Sequence, residues 1–401
     1  MAITILDTPA SYSSMHDDLW YVASSTNSGT TNFKFIVDVY VNGTLAGRSK
    51  VFPSPSGSYG VYNASPIVRS YVTNYFEPSG TSILVASNDK IKVNYIIAVG
   101  EEVSGVTTAN MASGSFSAYN FYPPLFADIL ATNAEIPLVL SDYYNNLLIE
   151  NFSDDWLTER SEEIGIEYGD IFYATFFKVT AGSYLAKIDI VNPDESIAAT
   201  YSASISLAGE FNLFNCSAAN INAFAGTTII TENTYGYNVY LTLGVAVTRK
   251  LRFRQKCYPK FRQYNLHFLN RLGGWDTMKF ALVNRRSTDF QRSAYRRNDW
   301  QLVGNQMQNV DSYNRYNETT LNYAIQHKDK YHLISDWVNE QDYDWLQQLV
   351  SSSIVYMEVL GAYFPVTVLS NTYSYKLTAA DKLFNFEIDI EVGKYINSQF
   401  R

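Results

Sequence analysis

The clearest alternation of apolar and polar residues in the first part of the chain runs from Phe33 to Val41 and stops at Asn42-Gly43. Strand side chains point to opposite faces with period two, and Asn-Gly readily takes the positive φ angles of a tight turn. This stretch therefore predicts a β-hairpin, with Arg48 to Phe52 as the returning strand. Strand-like runs also occur at 19–24, before an Asn/Ser/Gly-rich turn at 25–32, and at 82–86 and 91–99, after a Pro/Ser/Gly loop at 53–58. Short strands punctuated in this way predict a β-sandwich over residues 1–110, of fibronectin type III or immunoglobulin character. The Cys-Trp-Cys spacing of antibody domains is missing, which favours the fibronectin-like variety.

Much of this pattern returns about 150 residues later, in the same order. Asp18-Leu19-Trp20-Tyr21-Val22 is matched by Asp170-Ile171-Phe172-Tyr173-Ala174, and Val37-Asp38-Val39 by Ile188-Asp189-Ile190. Tyr59-x-Val61-Tyr62-Asn63-x-Ser65 is matched by Phe211-x-Leu213-Phe214-Asn215-x-Ser217, and the run through Val93, Tyr95 and Ile97 by Val239, Leu241 and Leu243. Ordered matches of this kind predict a tandem copy of the sandwich, over 166–248. Its hairpin turn is Asn192-Pro193-Asp194.

The segment 111–165 between the copies is irregular. Gly105 to Ala118 is small and polar and reads as a linker, whereas Tyr119 to Phe126 is densely aromatic and could dock onto a neighbour. The acidic cluster Asp154, Asp155, Glu159, Glu162 and Glu163 lacks the D-x-D-x-D-G spacing of a calcium loop and reads as a solvated segment. Residues 249–401 do not repeat. They open on a basic run, contain a Gly273-Gly274 turn, and signal one helix at 339–351. Asn339 would cap it, with Tyr343, Leu346, Leu349 and Val350 as its apolar stripe. Strands at 354–359, 364–369 and 383–392 follow, so this third is expected to be β-barrel-like with one packed helix. The whole chain is expected to be all-β.

Composition agrees with that class. The 32 Tyr and 23 Phe suit pleated, half-buried surfaces, and Tyr is also enriched at protein and sugar contacts. Residues 1–248 hold 9 Lys/Arg against 24 Asp/Glu, and residues 249–401 hold 21 against 15. Opposite signs at the two ends could orient copies head to tail. Cys216 and Cys257 make no disulfide framework, and Cys216 falls where the first copy has Ala64, a core position. The N-terminus has no secretory pattern and no apolar run is long enough to span a bilayer, so synthesis and folding in a cytoplasm are expected.

Catalytic chemistry finds few residues. His327 and His332 are five apart, a poor fit to a helical zinc pair, and neither a nucleophile elbow nor a phosphate loop occurs. Glu387, Asp389 and Glu391 share one strand face and read as a solvated edge rather than a glycosidase pair. No cofactor, metal or catalytic residue is therefore expected. The basic run Arg249, Arg252, Arg254, Lys256 and Arg262 reads as a charged contact with an acidic protein in preference to nucleic acid, since the chain as a whole is acidic. With Tyr119, Phe121, Tyr122 and Phe126 it makes up the candidate interface.

Three segments carry a resemblance: LHFLNRLGGWDTMKF (266–280), WVNEQDYDWLQQLVSSSIVYMEV (337–359) and YSYKLTAADKLFNFEIDIEVGKYINSQ (373–399). They resemble virion proteins of tailed phages and prophages of Bacteroidota hosts. WLTERSEEIGIEYGDIFYATFF (156–177) and GVYNASPIV (60–68) are similar to module starts in the same group. The C-terminal arrangement is also similar to the barrel domain of distal-tail and tail-tube proteins, an analogy of fold. The resemblance implies a non-enzymatic structural protein of a tail, baseplate or collar. It would be made in the host cytoplasm, form a homo-oligomer and contact other virion proteins. A host-surface or carbohydrate-binding adhesion module is the alternative, with a polysaccharide-degrading enzyme third.

Overall fold

The computed structural model describes residues 3–121, 152–256, 261–309, 320–370 and 385–397, apart from positions 56, 74, 75, 77, 79–81, 89, 90, 109, 110, 297 and 395. The chain divides into two compact units. One holds residues 1–257 with 269–277, and the other holds 258–268 with 278–401.

In the first unit, residues 3–119 form β1 (Ile3–Asp7), β2 (Ser13–Ser14), β3 (Trp20–Ser25), β4 (Phe33–Val41), β5 (Thr44–Val51) and β6 (Gly60–Asn63). A short helix α1 (Ser65–Val68) precedes β7 (Leu84–Asn88), β8 (Lys92–Val103), β9 (Val106–Thr107) and β10 (Ala112–Tyr119). Two sheets result, in the orders β1-β3-β6 and β2-β10-β8-β4-β5, with β9 folded back on β8. Their facing sides bury Tyr21, Phe35, Val39, Tyr95 and Ile97. Asn42 and Gly43 take φ angles of 51° and 77°, as the turn between β4 and β5 requires.

The tandem copy comprises β11 (Asp155–Trp156), β12 (Glu163–Ile166), β13 (Tyr173–Phe177), β14 (Tyr184–Val191), β15 (Ile197–Ile205) and β16 (Phe211–Asn215). Then come α2 (Ala218–Ala225), β17 (Gly236–Leu243), β18 (Ala246–Val247) and β19 (Leu251–Gln255). The order β12-β19-β17-β14-β15 reproduces β2-β10-β8-β4-β5, down to the parallel pairing at one edge. The opposing sheet runs β11-β13-β16-β7, so β7 leaves the first sandwich and completes the second. Ile83, just before it, is a member of the second core with Trp156, Phe176, Phe214 and Phe253.

Strand pairing corrects four sequence expectations. Gly105 to Ala118 is not a linker, because β10 lies beside β8 within a sheet. Its alternation is carried by Ala112, Phe116 and Ala118 against Ser113, Ser115 and Ser117, residues too small or too polar to look like a strand. Trp20 is not the counterpart of Phe172. Ala64 N donates to Leu19 O and Cys216 N to Phe172 O, so Leu19 matches Phe172, and Trp20 is 38% exposed. Val37 faces Val99, and Ile188 faces Val239, so Val239 matches Val99 instead of Val93. That slip is even-numbered, and it preserves the in-out alternation that periodicity reads.

The fourth correction concerns the basic run. Strand β19 belongs to the second sandwich, paired with β12 and β17, and not to the C-terminal domain expected from residue 249. With that strand counted where it lies, the first unit holds 15 Lys/Arg against 25 Asp/Glu and the second 15 against 14. The two units are therefore acidic and nearly neutral; the expected opposition of signs disappears.

The second unit contains most of β20 (Tyr264–Leu269), the end of β21 (Trp275–Phe280, whose first three residues belong to the first unit), β22 (Arg285–Arg296), β23 (Trp300–Val303), β24 (Gln306–Asn309) and β25 (Thr320–Ile334). Helix α3 (Glu340–Ser351), β26 (Val355–Val359), β27 (Ala362–Val368), β28 (Glu387–Val392) and β29 (Ile396–Asn397) follow. The sheet order is β21-β20-β26-β27-β28-β25-β22, with β29 also on β25 and β23–β24 as a separate hairpin. Its end strands do not pair with each other among the described residues, so the expected barrel is an open sheet there. Asn339 caps α3, accepting from Asp342 N at 2.7 Å, and Tyr343, Leu346 and Leu349 join Trp345 in the core.

Cys216 is fully buried, as is Ala64 at the same point of the first sandwich, and burial pushes its thiol well above the usual range. Since the fold already accepts alanine there once, Cys216→Ala should cost about 1 kcal/mol in urea unfolding. A loss above about 3 kcal/mol would mean that the two positions are not equivalent.

Candidate functional site

The described part of the aromatic segment expected to dock onto a partner, Tyr119 to Phe121, is spent inside the chain. Tyr119 and Phe121 are 2% and 1% exposed. They form a small core with Ile91, Leu157, Phe177, Phe211 and Leu272, which joins the two sandwiches. Tyr12 stacks on Tyr119 with ring centres 5.1 Å apart, and the Tyr119 hydroxyl donates to Glu210 at 3.1 Å. Lys92 closes the group with an ion pair to Glu210 at 2.6 Å. Tyr122 and Phe126 lie outside the described residues. The Gly273-Gly274 turn is built into the same unit. Gly273 has φ 84°, and a Cβ on it would come within 2.5 Å of Asn120 O. Asn270 braces the turn, accepting from Leu272 N and Gly274 N and donating to Leu157 O.

The basic strand finds its acidic partners within its own sandwich. Parallel pairing sets Glu163 opposite Arg252, and Arg252 reaches Glu162 at 3.2 Å. Arg254 holds Glu195 through Nε and Nη2, at 3.1 and 2.5 Å. Arg249 donates to Trp156 O and Thr158 O, and its backbone N–H donates to Asp155. Arg271 pairs with Glu159. Lys256, just past the strand, is exposed, and its backbone N–H donates to Ile166 O at 3.0 Å. Arg262 lies over the Tyr264 ring at 5.5 Å in the second unit. The acidic segment and the basic run, distant in sequence, thus neutralise each other.

Two buried aspartates mark equivalent points of the sandwiches. Asp38 is held by Arg48 at 2.6 and 2.7 Å, from the neighbouring strand. Asp189 receives Thr200, Tyr240 and Lys250 at 2.7, 3.2 and 3.0 Å. Burial and the Asp189 charge push the Tyr240 hydroxyl up to about 12. A buried carboxylate needs a partner in each case, but the cation comes from a different strand. Asp154 is a third structural acid. It accepts from Val179 N, Thr180 N and Tyr184 Oη at 2.9, 2.9 and 2.6 Å. Burial works against its ionisation, but the bonds from Thr180 and Tyr184 prevail and hold it below the usual range.

His327 and His332 sit on β25, where odd spacing places them on opposite faces. His332 pairs with Asp389 at 2.8 Å and Lys328 with Glu391 at 2.5 Å, so the acidic face of β28 meets a basic neighbour strand. Among the described residues no group of three His, Cys, Asp or Glu is placed to hold a metal ion.

The most exposed apolar surface was missed in the sequence. Strands β22 and β25 pair over twelve positions, a ribbon about 40 Å long at about 3.4 Å per residue. Eleven of the twelve β22 residues are exposed, and its outer edge pairs with no strand among the described residues. Phe290, Tyr295 and Tyr323 are each at least half exposed, as are Trp300, Leu302 and Met307 on the β23–β24 hairpin. The signal was available: Gly304-Asn305 between the short runs Trp300–Val303 and Gln306–Asn309 is a hairpin turn.

No protein family matches the sequence, and no curated protein matches it. Among solved structures, the extracellular region of plexin A4 aligns at 10% identity over 99% of this chain and 40% of that one, with a TM-score of 0.20. A likeness that low carries no argument about fold or function.

Phe121→Ala should remove about 3–5 kcal/mol of stability by opening a cavity between the sandwiches, read as a large drop in thermal midpoint. An unchanged midpoint would mean that the side chain is not packed there. Asp154 bears on pH. A carboxylate whose folded pKa is depressed adds stability above its unfolded value, about 3.9, and loses it as pH falls through the folded one. Urea melts from pH 6 down to 2.5 should show Asp154→Asn less stable than the native chain above about pH 4. The difference should shrink towards pH 2.5, and a constant difference would contradict the assignment.

Proposed function

We propose that this chain is a non-enzymatic structural protein of a bacteriophage virion, a tail, baseplate or collar component that self-associates and docks other virion proteins. The β22–β25 ribbon with its apolar side chains carries this reading. Past the pairing of β25 with β28 and β29, the end of the ribbon (292–296 with 320–325) is two-stranded among the described residues. Such ribbons are marginal in water by themselves, and a long strand edge invites pairing. Large aromatic side chains at half exposure or more are the groups that anchor protein interfaces once covered. Arg285, Arg286, Arg292 and Arg296 on the same strand restrain indiscriminate pairing, as edge charges do. A second copy of the chain is the partner favoured here, in a repeated contact that closes into a ring. The resemblance to Bacteroidota phage virion proteins points the same way. No helix among the described residues is long and apolar enough to cross a membrane.

Mass photometry tests the reading. The native chain is expected to form oligomers, and Phe290→Ser with Tyr295→Ser is expected to shift them to monomers while thermal melting stays within a few degrees. A chain that stays monomeric at tens of micromolar, and is absent from purified phage particles, would sink the proposal.

A further inference from the structure

The two sandwiches share a topology but differ at one outer-face position, and the difference is chemical. In the second copy, Arg254 on β19 faces Gly236 on β17, and its guanidinium pairs with Glu195 at the β14–β15 turn. Tyr235 adds a hydroxyl bond to Glu195 at 3.2 Å. A Cβ at Gly236 would stand 2.5 Å from the Phe253 carbonyl oxygen and 2.9 Å from Arg254 Cδ, so the glycine allows the close approach of β19 that carries the arginine. The spot is filled.

In the first copy, the same register sets Ser115 opposite Ile96 and Tyr40 opposite Ile96, so Ser115 stands where Arg254 does. The ion pair is gone. A cleft of about 560 Å³ occupies the outer face of β4, β8 and β10, walled by the loop after β1. That volume falls in the range of about 300–1,000 Å³ typical of small-molecule sites. Its lining includes Tyr40, Asn42, Asn94, Ile96, Ser115 and Ser117, and no charged residue. Ser117 Oγ donates to Asn94 Oδ1 at 2.7 Å, so part of the polar floor is already ordered.

We infer that this cleft binds a neutral glycan chain. The lack of cations in the lining argues against phosphate, sulfate or carboxylate ligands, and the lack of carboxylates argues against a cation-bridged sugar. Hydroxyl and amide groups beside a tyrosine match a ligand with hydroxyls on its rim and C–H groups on its ring faces. The inference is independent of the assembly proposed above. It also places the sugar contact away from Tyr119 and Phe121, which the fold buries, on a surface that the sequence did not mark.

The test uses the full chain in saturation-transfer difference NMR, with neutral gluco-, galacto- and manno-oligosaccharides as probes. Sialylated and sulfated oligosaccharides serve as controls. At least one neutral probe is expected to gain signal and the acidic ones none. Ser115→Arg installs the residue that the second copy carries, and should weaken that binding at least tenfold with the melting curve unchanged. Tyr40→Ala should weaken it as well, and serves if the arginine variant fails to fold. Absence of signal from every neutral probe overturns the inference. So does binding that persists in whichever of the two variants is folded.

Discussion

The seam between the two sandwiches is the constraint on which the first unit depends. Strand β7 comes from the first copy and hydrogen-bonds along β16 of the second, delivering Ile83 to the second core. On the other side of the seam, Tyr12, Tyr119 and Phe121 pack on Phe177 and Phe211, with Lys92 and Glu210 closing the polar rim. Backbone pairing and side-chain burial act together here, so the copies cannot hinge as beads on a string. Aromatic residues that look like a docking patch in the sequence are what this joint consumes.

Charge follows the same economy. Parallel pairing of β12 with β19 lays the acidic residues before one strand against the basic residues of the other. The result is a set of local ion pairs, most of them partly exposed, each of modest worth to stability. Their larger effect is on register, because a one-residue slip would bring Arg252 away from Glu162 and turn Phe253 out of the core. The buried Asp38 and Asp189 show how duplication relaxes such demands. Both copies keep the carboxylate, and each has settled on its own cation.

Local signals in the sequence were legible where the physics is local. Asn42-Gly43 marks its turn, Asn339 caps its helix, and the alternation of β4 and β28 is plain. Non-local facts were not. Nothing within 82–88 says that its partner is β16, since pairing across copies leaves no mark on alternation. Small residues concealed β10, and an even-numbered slip concealed the true match between β8 and β17. The ribbon went unread because alternation identifies a buried face, and β22 has almost none. The cleft was invisible for a related reason. It is defined by Ser115 standing where the duplicate has Arg254, and that equivalence exists only once both registers are known.

Strand β7 also imposes an order in time. As the chain is synthesised, β7 emerges about 120 residues ahead of β16. At about 5–20 residues per second, that interval is roughly 6–24 s. Throughout it, β8 and β10 can close the first sandwich around a segment that has no place in it. The strand must wait, unpaired, for a sheet that does not yet exist. Completion of the second sandwich is thus the event that retires the last loose edge of the first.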